Sequence, residues 1–217
     1  MNGRPSLIVL VSVSLVLLLC GLGIAVATAG VPPLPFAQGA TVSNYLLAHP
    51  AAVQTAAVAT FASSVPLAIY AATVTARLRQ LGTPALGVTI AFTGGILAAA
   101  ALGLCGLVLW TLSRPEVSTA EPLTRALYYL VFLTGGTAHL VMLGLLVGGM
   151  AVASLSVGLL PRPLAWAGVV IAAIAELTTL VLIWPGLSPL LPVARFSGLV
   201  WLIVAGALLP RLSRSAT

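Results

Sequence analysis

Lysine and aspartate are missing from this sequence altogether, and its other charges are few: nine arginines and three glutamates in 217 residues. Charged residues make up 6% of the chain, against roughly 25% in soluble domains. That is too little charge to cover a water-facing surface. The same shortage excludes disorder, which needs high charge and few apolar residues. Cysteine occurs twice, at Cys20 and Cys105, each inside an apolar run with no CxxC or Cys/His spacing. No metal framework is indicated, and each thiol reads as a small hydrophobe. Histidine also occurs twice, at His49 in a loop and His139 in an apolar run. A haem site between facing helices is short of axial ligands on that count, so the expectation is no cofactor.

What the sequence has instead is apolar mass. Hydrophobic residues make up 60%, and the mean hydropathy is +1.19. The formal charge of +6 comes from arginines scattered singly between apolar runs. Such residues anchor loops at a membrane surface, so the expected partner is a lipid bilayer and not nucleic acid. A chain basic only through arginine and rich in Ala, Leu and Val has the composition of a high-GC bacterium, and the expected location is the inner, cytoplasmic membrane.

Six stretches are long and apolar enough to span, each needing ~20 residues. They run over 6–27, 51–76, 84–112, 126–157, 163–184 and 192–209, within one transmembrane domain. The expected fold class is therefore all-α, a polytopic bundle. The first run outlasts the ~7–15 apolar residues of a signal peptide and is read as a retained helix. Leu19 before Cys20 does not fit a lipoprotein site, which wants a small residue there. Pro32, Pro33 and Pro35 follow, then a segment 41–49 that reads as a short interfacial helix with Tyr45, Leu46 and Leu47 toward lipid. Pro66 is expected to kink the second span, and Ser63 or Ser64 stands ready to satisfy the Ala62 carbonyl it frees.

Arginine placement sets the orientation. With the N-terminus inside, the inner segments hold Arg4, Arg77, Arg79, Arg162, Arg211 and Arg214, and the outer ones Arg114, Arg125 and Arg195. Six against three predicts N-in and C-in. A weak internal echo accompanies this pattern. Thr93-Gly94-Gly95 recurs as Thr134-Gly135-Gly136, and Leu102-Gly103-Leu104 as Leu143-Gly144-Leu145. Transporters use inverted repeats, but short matches in a Gly/Leu-rich chain arise by chance.

Few residues promise chemistry. Glu176 is the one acidic residue inside a span, and an intramembrane carboxylate is expensive unless paired or protonated. Ala165, Gly168, Ala172, Glu176 and Thr179 follow three- and four-residue steps, a small-residue stripe suited to the bundle interior. Counting at 1.5 Å per residue puts His139 roughly 18–20 Å and Glu176 roughly 12 Å below the outer surface. The expectation is a Glu176–His139 pair, with Arg195 as the second candidate partner and Ser64 as a further polar group. Gly144 and Gly148 form a GxxxG that permits close helix approach, within the chain or between copies.

The second half carries a resemblance. Leu160-Pro161-Arg162-Pro163-Leu164-Ala165-Trp166-Ala167-Gly168, then Trp184-Pro185-Gly186, then Gly198-Leu199-Val200-Trp201-Leu202-Ile203 resembles a family of six-helix bacterial membrane proteins grouped as a domain of unknown function. In that family an LPRxLGW-like inner turn precedes the last two helices; Pro163 and Ala165 depart from it. The resemblance spans residues 40–210 and implies a six-helix bundle, with no catalytic residues to transfer. Two functions compete on the sequence. One is a non-enzymatic envelope accessory, sensor or interaction subunit, with a membrane-protein partner or a second copy. The other is a small transporter or channel-like protein using a polar interior around Glu176 and His139. An enzyme is disfavoured, because no nucleophile–base pair or metal spacing is present.

Overall fold

The computed structural model describes residues 6–37 and 40–210. Among these residues there is no strand, and nine α-helices follow in chain order. They are α1 (Leu7–Ala29), α2 (Thr41–Ala48), α3 (Pro50–Gln80), α4 (Ala85–Leu112), α5 (Pro115–Ser118), α6 (Glu121–Phe132), α7 (His139–Val157), α8 (Arg162–Leu177) and α9 (Leu190–Leu208). A π-helical turn, Leu133–Ala138, joins α6 to α7 without a break, and 3₁₀ segments Thr178–Leu182 and Pro185–Leu187 follow α8. Among the described residues six helical runs are long and apolar enough to cross a membrane. The chain is a multi-pass, all-α transmembrane bundle.

The outward surface supports that class. Val58, Phe61, Val65 and Ile69 recur at helical spacing on α3 and are all exposed, as are Val9, Val13 and Val16 on α1. Apolar faces of this extent are tolerable in lipid and not in water. Small residues bring the helices together. A Cβ on Gly106 of α4 would meet the Phe61 amide nitrogen of α3 at 2.6 Å, and one on Gly94 would meet the Leu146 nitrogen of α7 at 2.7 Å. Without a hydrophobic effect between helices in lipid, such close packing is the main attraction available. At the centre the buried Tyr70 hydroxyl donates to the Leu202 carbonyl at 3.1 Å, tying α3 to α9.

Both ends of the described chain lie at one face. Leu7 packs beside Gly206, and the Arg77 guanidinium at the end of α3 donates to the Leu209 carbonyl at 2.9 Å. The opposite face carries residues 30–37, α2 and α5. There the Tyr45 hydroxyl donates to Gly30, Tyr128 to Pro33 at 2.8 Å, and Arg125 to Ala37. A second, smaller apolar cluster of Val42, Leu46, Val53 and Leu112 seats α2 on this face.

Several sequence expectations need correction. Leu46 faces protein at 2% exposure instead of lipid, while Leu47 is exposed. Neither serine donates to Ala62: Ser63 bonds the Thr60 carbonyl and Ser64 the Phe61 carbonyl, each at 2.7 Å. A side chain back-bonding three residues reaches its own turn more easily than a carbonyl adjacent to it. The fourth span starts at Glu121, five residues earlier than read, because Pro122 is tolerated in a first turn. The Thr-Gly-Gly echo is no structural equivalence, since residues 93–95 lie in regular helix and 134–136 in the π turn.

Candidate functional site

The π turn is the point where backbone geometry departs most from the rest of the bundle. Its sequence, Leu133-Thr134-Gly135-Gly136-Thr137-Ala138, places two glycines and two threonines, all poor helix formers, inside a long span. A widened turn changes which carbonyls the helix satisfies, and such turns are frequent at functional sites. Here Arg195 of α9 donates from Nη2 to the Gly135 carbonyl. On the far side of the turn Gly135 has no room for a Cβ, because the Cys105 thiol of α4 fills that place. The Cys105 thiol in turn faces the Val131 carbonyl at 3.5 Å.

Among the described residues Arg195 has no carboxylate partner. The sequence contains three, Glu116, Glu121 and Glu176, and among the described residues no ion pair or hydrogen bond joins any of them to Arg195. Its Nε is sealed from solvent and unbonded. The guanidinium and the Cys105 thiol thus meet the π turn at the same residue, Gly135.

Beside Arg195 lies a cavity of about 460 Å³ between α1, α3, α4, α6 and α9. Its walls are Leu18, Leu22, Ala56, Leu102, Leu109, Val131, Phe132 and Phe196, with Thr60 and Cys105 among them. Pro32 to Pro35 and Tyr45 close it toward the loop face. The prolines place carbonyls but no amides there, and the hydroxyls of Tyr45 and Tyr128 are already spent on loop carbonyls. The interior is thus apolar around one cation, the usual makeup of a ligand pocket with a single orienting group.

The residues singled out from sequence scatter. Glu176 is exposed on α8 and makes no hydrogen bond or ion pair among the described residues. The buried face of α8 runs through Ala165, Gly168 and Ala175, about a quarter turn from Glu176. Thr178 continues that face at 0% exposure, whereas Thr179 is exposed. The stripe read from sequence holds at Ala165 and Gly168 and departs at Glu176 and Thr179, where the inward face passes to Ala175 and Thr178.

His139 is buried at 1% exposure and turned elsewhere. Its Nδ1–H donates to the Ala98 carbonyl at 2.9 Å, leaving Nε2 enclosed without a partner. The pairing of Glu176 with His139, or with Arg195, is therefore overturned. Depth explains part of the error. The five-residue 3₁₀ segment after α8 rises ~2 Å per residue instead of ~1.5, so Glu176 sits deeper than counted. Its carboxylate lies over Gly144, 3.3 Å from where a Cβ would stand, more than a turn along α7 from His139.

Gly144 and Gly148 sit where α8 crosses α7. Added Cβ atoms would meet the Ala175 Cβ at 2.8 Å and the Ala172 Cβ at 3.1 Å respectively. Ser64 lies against Gly103 of α4, outside the cavity wall. Among the described residues no three of His, Cys, Asp and Glu gather as a metal-holding group.

Sequence reasoning named Arg195 as an intramembrane candidate but gave it Glu176 as its partner, and it missed Cys105 and the π turn. A signal was present: two adjacent glycines between threonines inside an apolar span, where kinks and bulges concentrate. No protein-family model, curated protein or solved structure matches this chain.

Proposed function

We propose that this protein is a non-enzymatic accessory or sensor of the bacterial cytoplasmic membrane that holds a hydrocarbon ligand between α1, α3, α4, α6 and α9. The observation that carries this reading is the apolar cavity of about 460 Å³, within the roughly 300–1,000 Å³ of small-molecule sites. The orientation read from the arginines, with both termini in the cytoplasm, puts the cavity in the outer half of the bilayer. Arg195 is part of the cavity wall and not of a loop, so the loop count becomes six arginines inside against two outside, and favours that orientation more strongly. The resemblance of the second half to the six-helix bacterial family accords with the same location. The transporter reading loses its support, because Glu176 and His139 share no polar path.

The test is the lipid content of the purified protein. Wild type in mild detergent should carry a stoichiometric hydrocarbon ligand by native mass spectrometry, and Ala56→Phe, which fills the cavity, should lose it while staying monodisperse. Equal ligand content in the two proteins, or none in wild type, counts against the reading.

A further inference from the structure

We propose that the cavity's ligand is a single-chain carboxylate of the long-chain fatty acid class, its head group paired with Arg195 and its chain lying along the apolar wall. This rests on the cavity being a ligand site and adds the charge and size of the occupant. Three observations carry it.

The first is a cation without a counter-charge. Arginine stays protonated in any protein environment, and an uncompensated charge inside a bilayer is expensive. Among the described residues the three side-chain carboxylates lie elsewhere: Glu116 on α5, Glu121 at the start of α6 and Glu176 on the exposed side of α8. An anion in the cavity would supply the counter-charge.

The second is the state of the guanidinium. Nη2 is held by the Gly135 carbonyl, which fixes the plane of the group. Nε is enclosed and unbonded, and Nη1 makes no hydrogen bond. The charge of the group is thus met only by one carbonyl, and an anion reaching it would gain a charge-assisted hydrogen bond. The side chain lines the cavity, so an anion there meets it without rearrangement. A neutral hydrocarbon would leave the charge unmet.

The third is depth. Arg195 bonds the backbone at the level of Cys105. Cys105 precedes the end of α4 at Leu112 by seven residues, about 10 Å of helix. A phospholipid keeps its phosphate at the interface because its glycerol and second chain hold it there. A carboxylate on one chain has no such tether and fits a space enclosed on the loop face by Pro32 to Pro35.

The experiment uses the full chain in nanodiscs of phosphatidylcholine, with labelled palmitate, hexadecanol of equal chain length, and phosphatidylglycerol as probes. Wild type should bind palmitate about tenfold more tightly than hexadecanol once bilayer partitioning is subtracted. Arg195→Gln should remove that preference and leave hexadecanol binding unchanged. Arg195→Lys should restore most of it. The wild-type comparison stands even if a variant misfolds. Equal binding of palmitate and hexadecanol overturns the charge assignment while leaving the cavity reading intact. Displacement of palmitate by phosphatidylglycerol at equal concentration overturns the single-chain assignment. Binding of neither single-chain probe overturns both the proposal and the reading beneath it.

Discussion

The indole of Trp201 lies directly over Gly168: its Nε1–H donates to the Leu164 carbonyl at 2.8 Å, and a Cβ on Gly168 would meet ring atom Cζ2 at 2.5 Å. One side chain of α9 thereby fixes both the rotation and the distance of α8. The ring cannot retreat without breaking its hydrogen bond, and Ala151 of α7 closes the other side at 2.9 Å.

Gly168→Ala should accordingly destabilise the bundle by about 1–3 kcal/mol, the usual cost of overpacking. Trp201→Phe should lose stability as well, by loss of the hydrogen bond. The double variant should lose less than the sum, because the smaller ring leaves space for the methyl. Thermal unfolding in detergent of all three proteins checks this, and strict additivity would show that the two residues are not in contact.

Glu176 gives the opposite expectation. It has no partner to orphan, so Glu176→Gln and Glu176→Leu should each stay within about 0.5 kcal/mol of wild type, as exposed substitutions do. Gly144→Leu, one residue away in space, should be far worse, because Ala175 blocks it at 2.8 Å. A loss of more than about 1 kcal/mol for Glu176→Leu would reveal a buried polar contact of the kind removed in such cases.

Topology is open to a direct assay. Reporter fusions in the 81–84 connection and at the C-terminus should both report the cytoplasm, and one in the 30–40 connection should report the outside. Arg77 and Arg79 cap the terminal face at the end of α3, and reversing the K/R balance there should weaken the orientation. An outside signal from either of the first two fusions contradicts the assignment.

The spans were legible because lipid imposes a simple requirement: about 20 apolar residues that satisfy their own backbone. Side-chain direction was less so. On α8 the three-step to Ala175 and the four-step to Glu176 are both helical neighbours of Ala172, and only the ring of Trp201 against Gly168 decides which one turns inward. On α9 the arginine was counted with the outer charges and offered to Glu176, since nothing local in Leu190–Leu208 indicates a carbonyl waiting at Gly135. That acceptor depends on a π turn 60 residues away in sequence. Pairings set by backbone irregularity on a distant helix leave no periodic trace.

Helix α3 is the least apolar of the six spans, and its Thr60, Ser63, Ser64 and Thr75 are all buried against neighbours. A segment of that makeup partitions weakly into lipid by itself. Helix α1, the most apolar, has the features of a partner for it: Gly21 admits Ala59, and the Ser14 hydroxyl donates to the Ser63 carbonyl at 2.7 Å. Lying before α3 in the chain, α1 offers it a serine and a glycine inside the bilayer, where lipid offers neither. The most apolar span thereby shelters part of the least apolar one from lipid.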